Sequence, residues 1–254
     1  MRFITKCTFV FRGIVLAGLF GCHQPEPLHR EQLEQGCVFL LPGVEGGAWQ
    51  FQQTTQGLRD AGLNQAIDVI EWGVRPFGSM INLTDLKGNR RRAVAIAEHI
   101  AQYQRNFPER PTTLLGFSGG GGLAVLTAEA LPEGIRVDRL ILVSAVISPQ
   151  YDLSKAAVHS RKKIISFYSN RDWLIIGAGT TLFGTIDRQY TSSAGHVGFQ
   201  DDQGQLRTDG LVQIAWRPEW RQLGNNGGHL GWLAREWARD ILAPQIDPTV
   251  NNRQ

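Results

Sequence analysis

The pentapeptide Gly116-Phe117-Ser118-Gly119-Gly120 constrains this chain more than any other feature. It separates the apolar run Thr112 to Phe117 (TTLLGF) from GLAVLTAEAL, which has no breaker from Leu123 until Pro132. A strand that becomes a helix over so few residues must bring its backbone close to its neighbours. Glycine two positions either side of the serine permits that approach. The pattern therefore predicts strand, tight turn and helix, with Ser118 on the turn. A phosphate-cradling P-loop is excluded, because no GK[ST] ending follows.

The rest of the chain alternates in the same way. Runs of strand length occur at Cys37 to Leu41, Gln65 to Trp72, Thr112 to Phe117, Asp138 to Ala145 and Lys163 to Ser169. They lack period-2 alternation, as strands covered on both faces do. Between them, Ala93, Ile96, Ala97, Ile100 and Ala101 fall on one face of a helix for which Asn89 is the predicted cap. Strands alternating with helices give an α/β chain with a mostly parallel central sheet and helices on both faces.

On these residues the chain, from about Gln35 onward, resembles the α/β-hydrolase family, whose GxSxG nucleophile elbow Gly116 to Gly120 matches. The resemblance implies the α/β-hydrolase fold with Ser118 as nucleophile. After the first strand comes Pro42-Gly43-Val44-Glu45-Gly46-Gly47, where the family carries the loop that completes the oxyanion hole. Val44 and Gly119 are the matching backbone N–H donors, with Pro42 standing where many members have His. Fixed donors are needed at that place because negative charge develops on the carbonyl oxygen under attack.

A serine hydroxyl is a poor nucleophile until a base takes its proton, and the base needs an orienting carboxylate. In the family both follow the serine, the acid after a later strand and the histidine before the last helix. Asp172, in YSNRDWL, fits the first place, and His229, in NNGGHLGW ahead of the helical run Trp232 to Leu242, fits the second. Asp152 is the rival acid, one strand earlier, and His196, in TSSAGHVGF, is the rival base. His23, His29, His99 and His159 read as solvated or packed. The implied function is a serine hydrolase that cleaves a carboxylic ester of a small-molecule acyl substrate through an acyl-enzyme. Alternatives are amide or peptide hydrolysis on the same triad, or a binding module that kept the fold without turnover. Water completes the cycle, so no cofactor is expected. No His pair has metal-binding spacing, so no metal is expected either.

The N-terminus carries a separate message. Arg2, Lys6 and Arg12 lead into an apolar core, residues 13–21, that is too short to span a bilayer and ends at Cys22. Residues 1–21 read as a signal peptide. The string Leu19-Phe20-Gly21-Cys22 is similar to the lipobox of bacterial lipoproteins, which implies lipidation of Cys22 and a lipid anchor to the membrane. His23 is not the Asp that retains such proteins at the inner membrane, so the implied address is the outer membrane. Residues 22–35, polar and carrying Pro25 and Pro27, read as a tether, and residues 36–254 as a single domain.

Processing also removes the apparent basicity. The formal charge is +3, but three of the 26 basic residues precede Cys22, leaving 23 basic against 23 acidic. A balanced chain offers no long-range attraction to nucleic acid. Of the three cysteines, Cys7 lies in the signal and Cys22 at its end, so Cys37 has no partner for an internal disulfide. The short interval from Ala145 to Lys163 leaves no room for a lid and favours an open pocket. The interval from Trp173 to Gly228 reads either as an insertion shaping that pocket or as ordinary strand and helix with its tryptophans in the core.

Overall fold

A computed structural model describes residues 27–74, 78–172 and 184–250. The signal segment, Cys22 and the stretch from Trp173 to Phe183 lie outside the described residues. Six strands form one parallel sheet: β1 (Cys37–Leu41), β2 (Ala66–Val69), β3 (Thr112–Phe117), β4 (Arg139–Val143), β5 (Ile164–Tyr168) and β6 (Leu211–Ala215). Their order is β2-β1-β3-β4-β5-β6. The order reverses at β1, and the central strands β1 and β3 are buried along their whole length. Continuous apolar runs follow from that double cover, since each side chain meets a helix layer on one face or the other.

The two layers are built from alternate residues of the same strands. Phe39, Leu41, Leu114 and Leu142 pack on one face with helix residues Ala93, Ile96, Ile100 and Leu123, while Val38, Leu40, Phe117, Val143 and Phe167 pack on the other with Leu58, Trp237, Leu242 and Ile246. The first layer holds α3 (Leu86–Asn106) and α4 (Gly119–Glu129); the second holds α1 (Gln52–Asp60) and the C-terminal helical run. The short α2 (Ser79–Thr84) precedes α3. Cys37 opens β1 inside the first layer, and burial pushes its thiol far above its ordinary value, which keeps it protonated and unreactive.

Several elements depart from the sequence expectation, each for a local reason. Helix α3 begins before Asn89, because Asp85 accepts from the Gly88 N–H at 2.8 Å and so caps the first turn. Asn89 is instead fully buried and donates to the Asn82 carbonyl at 2.7 Å. Helix α4 starts directly after Ser118, so all four glycines Gly119 to Gly122 are helical, each against a packed neighbour. The expected helix from Trp232 to Leu242 is broken: a 3-10 turn His229–Leu233, an extended Ala234, an α turn Arg235–Trp237 and a π turn Ala238–Leu242. The π turn directly precedes the segment with Pro244, which has no N–H for the carbonyl four residues back.

At the N-terminal end, Arg30–Leu33 forms a turn of helix, Leu33 packs on the core, and its carbonyl accepts from the Tyr103 hydroxyl at 2.8 Å. Ordered packing thus begins ahead of Gly36. The interval from Trp173 to Gly228 holds, among its described residues, the edge strand β6 and a 3-10 turn Pro218–Leu223 that buries Trp220. Trp220, Trp232 and Trp237 pack edge-on to one another and around Phe167 of β5, with Phe167–Trp237 and Trp232–Trp237 centroids both 5.2 Å apart. Among the described residues no helix is long and apolar enough to cross a membrane.

Candidate active site

The turn between β3 and α4 is as tight as its glycines allow. Ser118 has φ 55° and ψ −124°, a conformation L residues avoid and one that persists only where the surroundings enforce it. Here they do. The Ser118 N–H donates to the Val143 carbonyl at 3.0 Å, and its carbonyl accepts from Gly121 and Val146, each at 2.9 Å. A Cβ on Gly116 would lie 2.2 Å from the Gly120 carbonyl oxygen, and one on Gly120 would lie 2.1 Å from that of Leu41. These two positions require glycine for space, and the space they leave lets the serine project above the sheet.

Two further side chains converge on it. His229 Nε2 is 2.9 Å from Ser118 Oγ, and His229 Nδ1 is 2.8 Å from Asp172 Oδ2. The Asp172 side chain is 1% exposed and that of His229 is 9%, so the chain of hydrogen bonds runs through a nearly dry interior where each link is electrostatically strong. Asp172 follows β5, its N–H held by the Ser169 carbonyl at 3.1 Å. His229 opens the 3-10 turn after Asn225-Asn226-Gly227-Gly228. That turn braces itself: Asn225 accepts from the Gly227 N–H and Asn226 from the Gly228 N–H, both at 2.9 Å, and Trp216 Nε1 donates to the Asn225 carbonyl at 3.0 Å. The imidazole lies over Phe117, centroids 4.8 Å apart, which fixes its plane.

The loop after β1 also reaches the elbow. A Cβ on Gly119 would stand 3.3 Å from the Val44 backbone nitrogen and one on Gly43 would stand 3.3 Å from Ser118 Cβ, so the loop that carries Val44 packs directly against the elbow. The Gly43 N–H is taken by Gln50 Oε1 at 2.7 Å, and Gln50 is itself buried. Asn82 of α2, fully buried, donates to the carbonyls of Val44 at 2.8 Å and Val74 at 3.1 Å and accepts from the Val74 N–H at 2.7 Å. Trp72 Nε1 holds the Pro42 carbonyl at 2.7 Å. The sequence pattern did not single out Gln50, Asn82 or Ser144, whose hydroxyl donates to Asp172 Oδ2 at 2.7 Å. Buried polar side chains among loops carry no periodic signal, and only their hydrogen bonds identify them.

The rival residues lie elsewhere. Asp152 is exposed and caps its own turn, accepting from the Ser154 N–H at 2.9 Å and hydroxyl at 2.8 Å, bonds that hold its carboxyl below the usual range. His196 sits in the short helix Ala194–Val197 with Nδ1 buried and no hydrogen-bond partner among the described residues. His99 pairs with Asp68 at 2.7 Å, and His159 Nδ1 lies 2.8 Å from the Ile135 carbonyl, so each imidazole is engaged away from Ser118 and Asp172. Among the described residues no group of three or more His, Cys, Asp or Glu side chains is placed to hold a metal ion.

No family model matches this chain, and no curated protein matches it. Solved structures do. Lipase B of Aspergillus fumigatus is similar over 87% of this chain and 54% of its own, with a TM-score of 0.53 at 15% identity. The type II thioesterase BorB from the borrelidin biosynthetic cluster is similar over 88% of this chain and 94% of its own, with TM-score 0.48 and 13% identity. Esterase PE8 is similar over 77% and 85% respectively, with TM-score 0.45 and 19% identity. The chain has the α/β-hydrolase fold. At such identities the likeness speaks for the fold, and the site has to argue for the chemistry.

Proposed function

We propose that the protein is a serine hydrolase that cleaves carboxylic esters. One observation carries the reading: Ser118, His229 and Asp172 form a single hydrogen-bonded chain at 2.9 and 2.8 Å beside the backbone N–H groups of Val44 and Gly119. Ser118 Oγ attacks the acyl carbon while His229 Nε2 takes its proton, and the carbonyl electron pair moves onto oxygen. Val44 and Gly119 stabilise that oxyanion, worth ~2.7–4 kcal/mol per donor in comparable sites. Collapse expels the alcohol, which leaves with the proton from His229 Nε2 and creates the acyl-enzyme. Water then repeats the sequence: His229 removes its proton, hydroxide adds to the acyl carbon, and Ser118 departs reprotonated with the free acid as product. Asp172 holds Nδ1–H and balances the imidazolium charge in each half. The esterase, lipase and thioesterase neighbours are in keeping with acyl transfer to water.

The test is turnover of a chromogenic short-chain ester. Ser118→Ala and His229→Ala should remove activity, Asp172→Asn should lower kcat by about 10⁴, and Asp152→Asn and His196→Ala should leave it measurable. Activity that survives Ser118→Ala defeats the proposal. We further propose that the domain is exported and anchored by lipid on Cys22, on the strength of the segment Arg2 to Cys22. The mass of the mature N-terminus decides this: a diacylglyceryl-modified cysteine supports it, and an unmodified Cys22 or a different terminus refutes it.

A further inference from the structure

Ser144 closes β4 in a conformation that its sequence position does not explain. Its φ is 50°, in the left-handed region that serine seldom occupies, and it is fully buried. The strand ladder continues through it, with its N–H donating to the Phe167 carbonyl at 2.9 Å, so the twist serves the side chain. That side chain donates to Asp172 Oδ2 at 2.7 Å, the same oxygen that faces His229 Nδ1. Gly195 presses on the other side: a Cβ there would stand 2.3 Å from the Ser144 carbonyl carbon. Gly195 also receives the Ser169 N–H at 3.0 Å and gives its own N–H to Ala145 at 2.9 Å. The turn after β4 and the turn after β5 are thereby clamped together around one carboxylate.

We propose that Ser144 is the positioning residue of this hydrolase, holding Asp172 Oδ2 on the line to His229 Nδ1. The inference rests on the triad reading above. A carboxylate on a short side chain rotates freely about its terminal bond unless both its neighbours fix it. With Oδ2 shared between Ser144 Oγ–H and His229 Nδ1–H, the oxygen has one place to be. The other ionisable side chains of these turns are directed elsewhere or stand apart from the carboxylate: the Arg171 guanidinium lies 5.2 Å from the Trp216 ring centroid, and His196 has no bond to either partner. Ser148, four residues along the same turn, is occupied with Asp187 at 2.5 Å. Only Ser144 supplies a side-chain donor to Asp172 besides the histidine among the described residues.

A double-mutant cycle tests this, because a residue that acts through Asp172 loses its effect when the carboxylate is gone. Ser144→Ala should lower kcat about tenfold, the equivalent of one charge-assisted hydrogen bond, with KM unchanged. In the Asp172→Asn background the same change should be close to silent. Ser144→Gly removes the hydroxyl while suiting φ 50°, so it should match Ser144→Ala in kcat even where the alanine variant folds poorly. Ser166→Ala, which deletes another fully buried serine hydroxyl, on β5, is the control and should leave kcat alone. The low-field proton resonance of His229 Nδ1–H should move in Ser144→Gly and stay in Ser166→Ala. Equal losses in both backgrounds, or an unmoved resonance, overturn the proposal and leave the triad reading intact. Wild-type turnover in Asp172→Asn would overturn the triad reading itself.

Discussion

Gly120→Ala should damage stability and turnover together, and the structure gives the size of both effects. The new methyl carbon would sit 2.1 Å from the Leu41 carbonyl oxygen and 2.3 Å from that of Pro42. Both obstacles are backbone, and neither has a flexible end that swings away. Reaching ordinary contact demands a separation of roughly 1 Å between the elbow and the β1 loop. Overpacking of this kind costs about 1–3 kcal/mol, or about 2–12 °C in Tm for a domain of this size. The same movement carries Val44 away from Gly119 and Ser118, and a 1 Å misplacement at a reacting centre costs about 10²-fold in rate. Calorimetry and steady-state kinetics on a chromogenic ester measure the two effects separately. An alanine variant with wild-type Tm and kcat would refute the argument that backbone packing at the elbow sets the nucleophile.

Three other perturbations read other parts of the molecule. Phe167→Ala should cost about 3–5 kcal/mol in chemical denaturation, since the ring is fully buried among three tryptophans. Asn82→Asp keeps the shape but removes the donor to the Val44 and Val74 carbonyls, so kcat should fall by about 10²-fold, as when an oxyanion donor is displaced, with a smaller change in KM. His99 is exposed, and its pKa is raised chiefly by its hydrogen bond to Asp68. A raised native value means that the pair stabilises the fold fully below the ordinary histidine value of about 6.5 and loses that contribution as pH climbs through the elevated one. Asp68→Asn should therefore flatten this part of the stability profile, and an unchanged profile would show that the pair contributes nothing.

What was legible in the sequence is what carries a local signal. Continuous apolar runs marked the first five strands, because burial on both faces removes alternation, and GxSxG marked the turn that must accommodate close backbone contact. Asp172 and His229, which the structure brings together with Ser118, stood out because each follows a recognisable element, a buried strand and an Asn-Gly turn. β6 escaped because it is a sheet edge: Val212 is exposed and Gln213 interrupts the apolar run while bonding to Phe199 at 2.6 and 2.8 Å. The start of α3 was misplaced because Asp85 and Asn89 are equally good caps by type, and only burial of Asn89 distinguishes them. Ser144, Gln50 and Asn82 were silent for a different reason. Their partners lie 28, 7 and 38 residues away, and no spacing rule connects a buried side chain to a distant backbone or carboxylate.

The most direct measurement of the central claim is covalent labelling by a fluorophosphonate, followed by peptide mapping. Only a serine whose hydroxyl is activated by a neighbouring base reacts at a useful rate. The account predicts a single adduct on Ser118, formed by the wild-type protein and lost in His229→Ala although the hydroxyl remains. No adduct on the wild-type protein, or one on another serine, would contradict it.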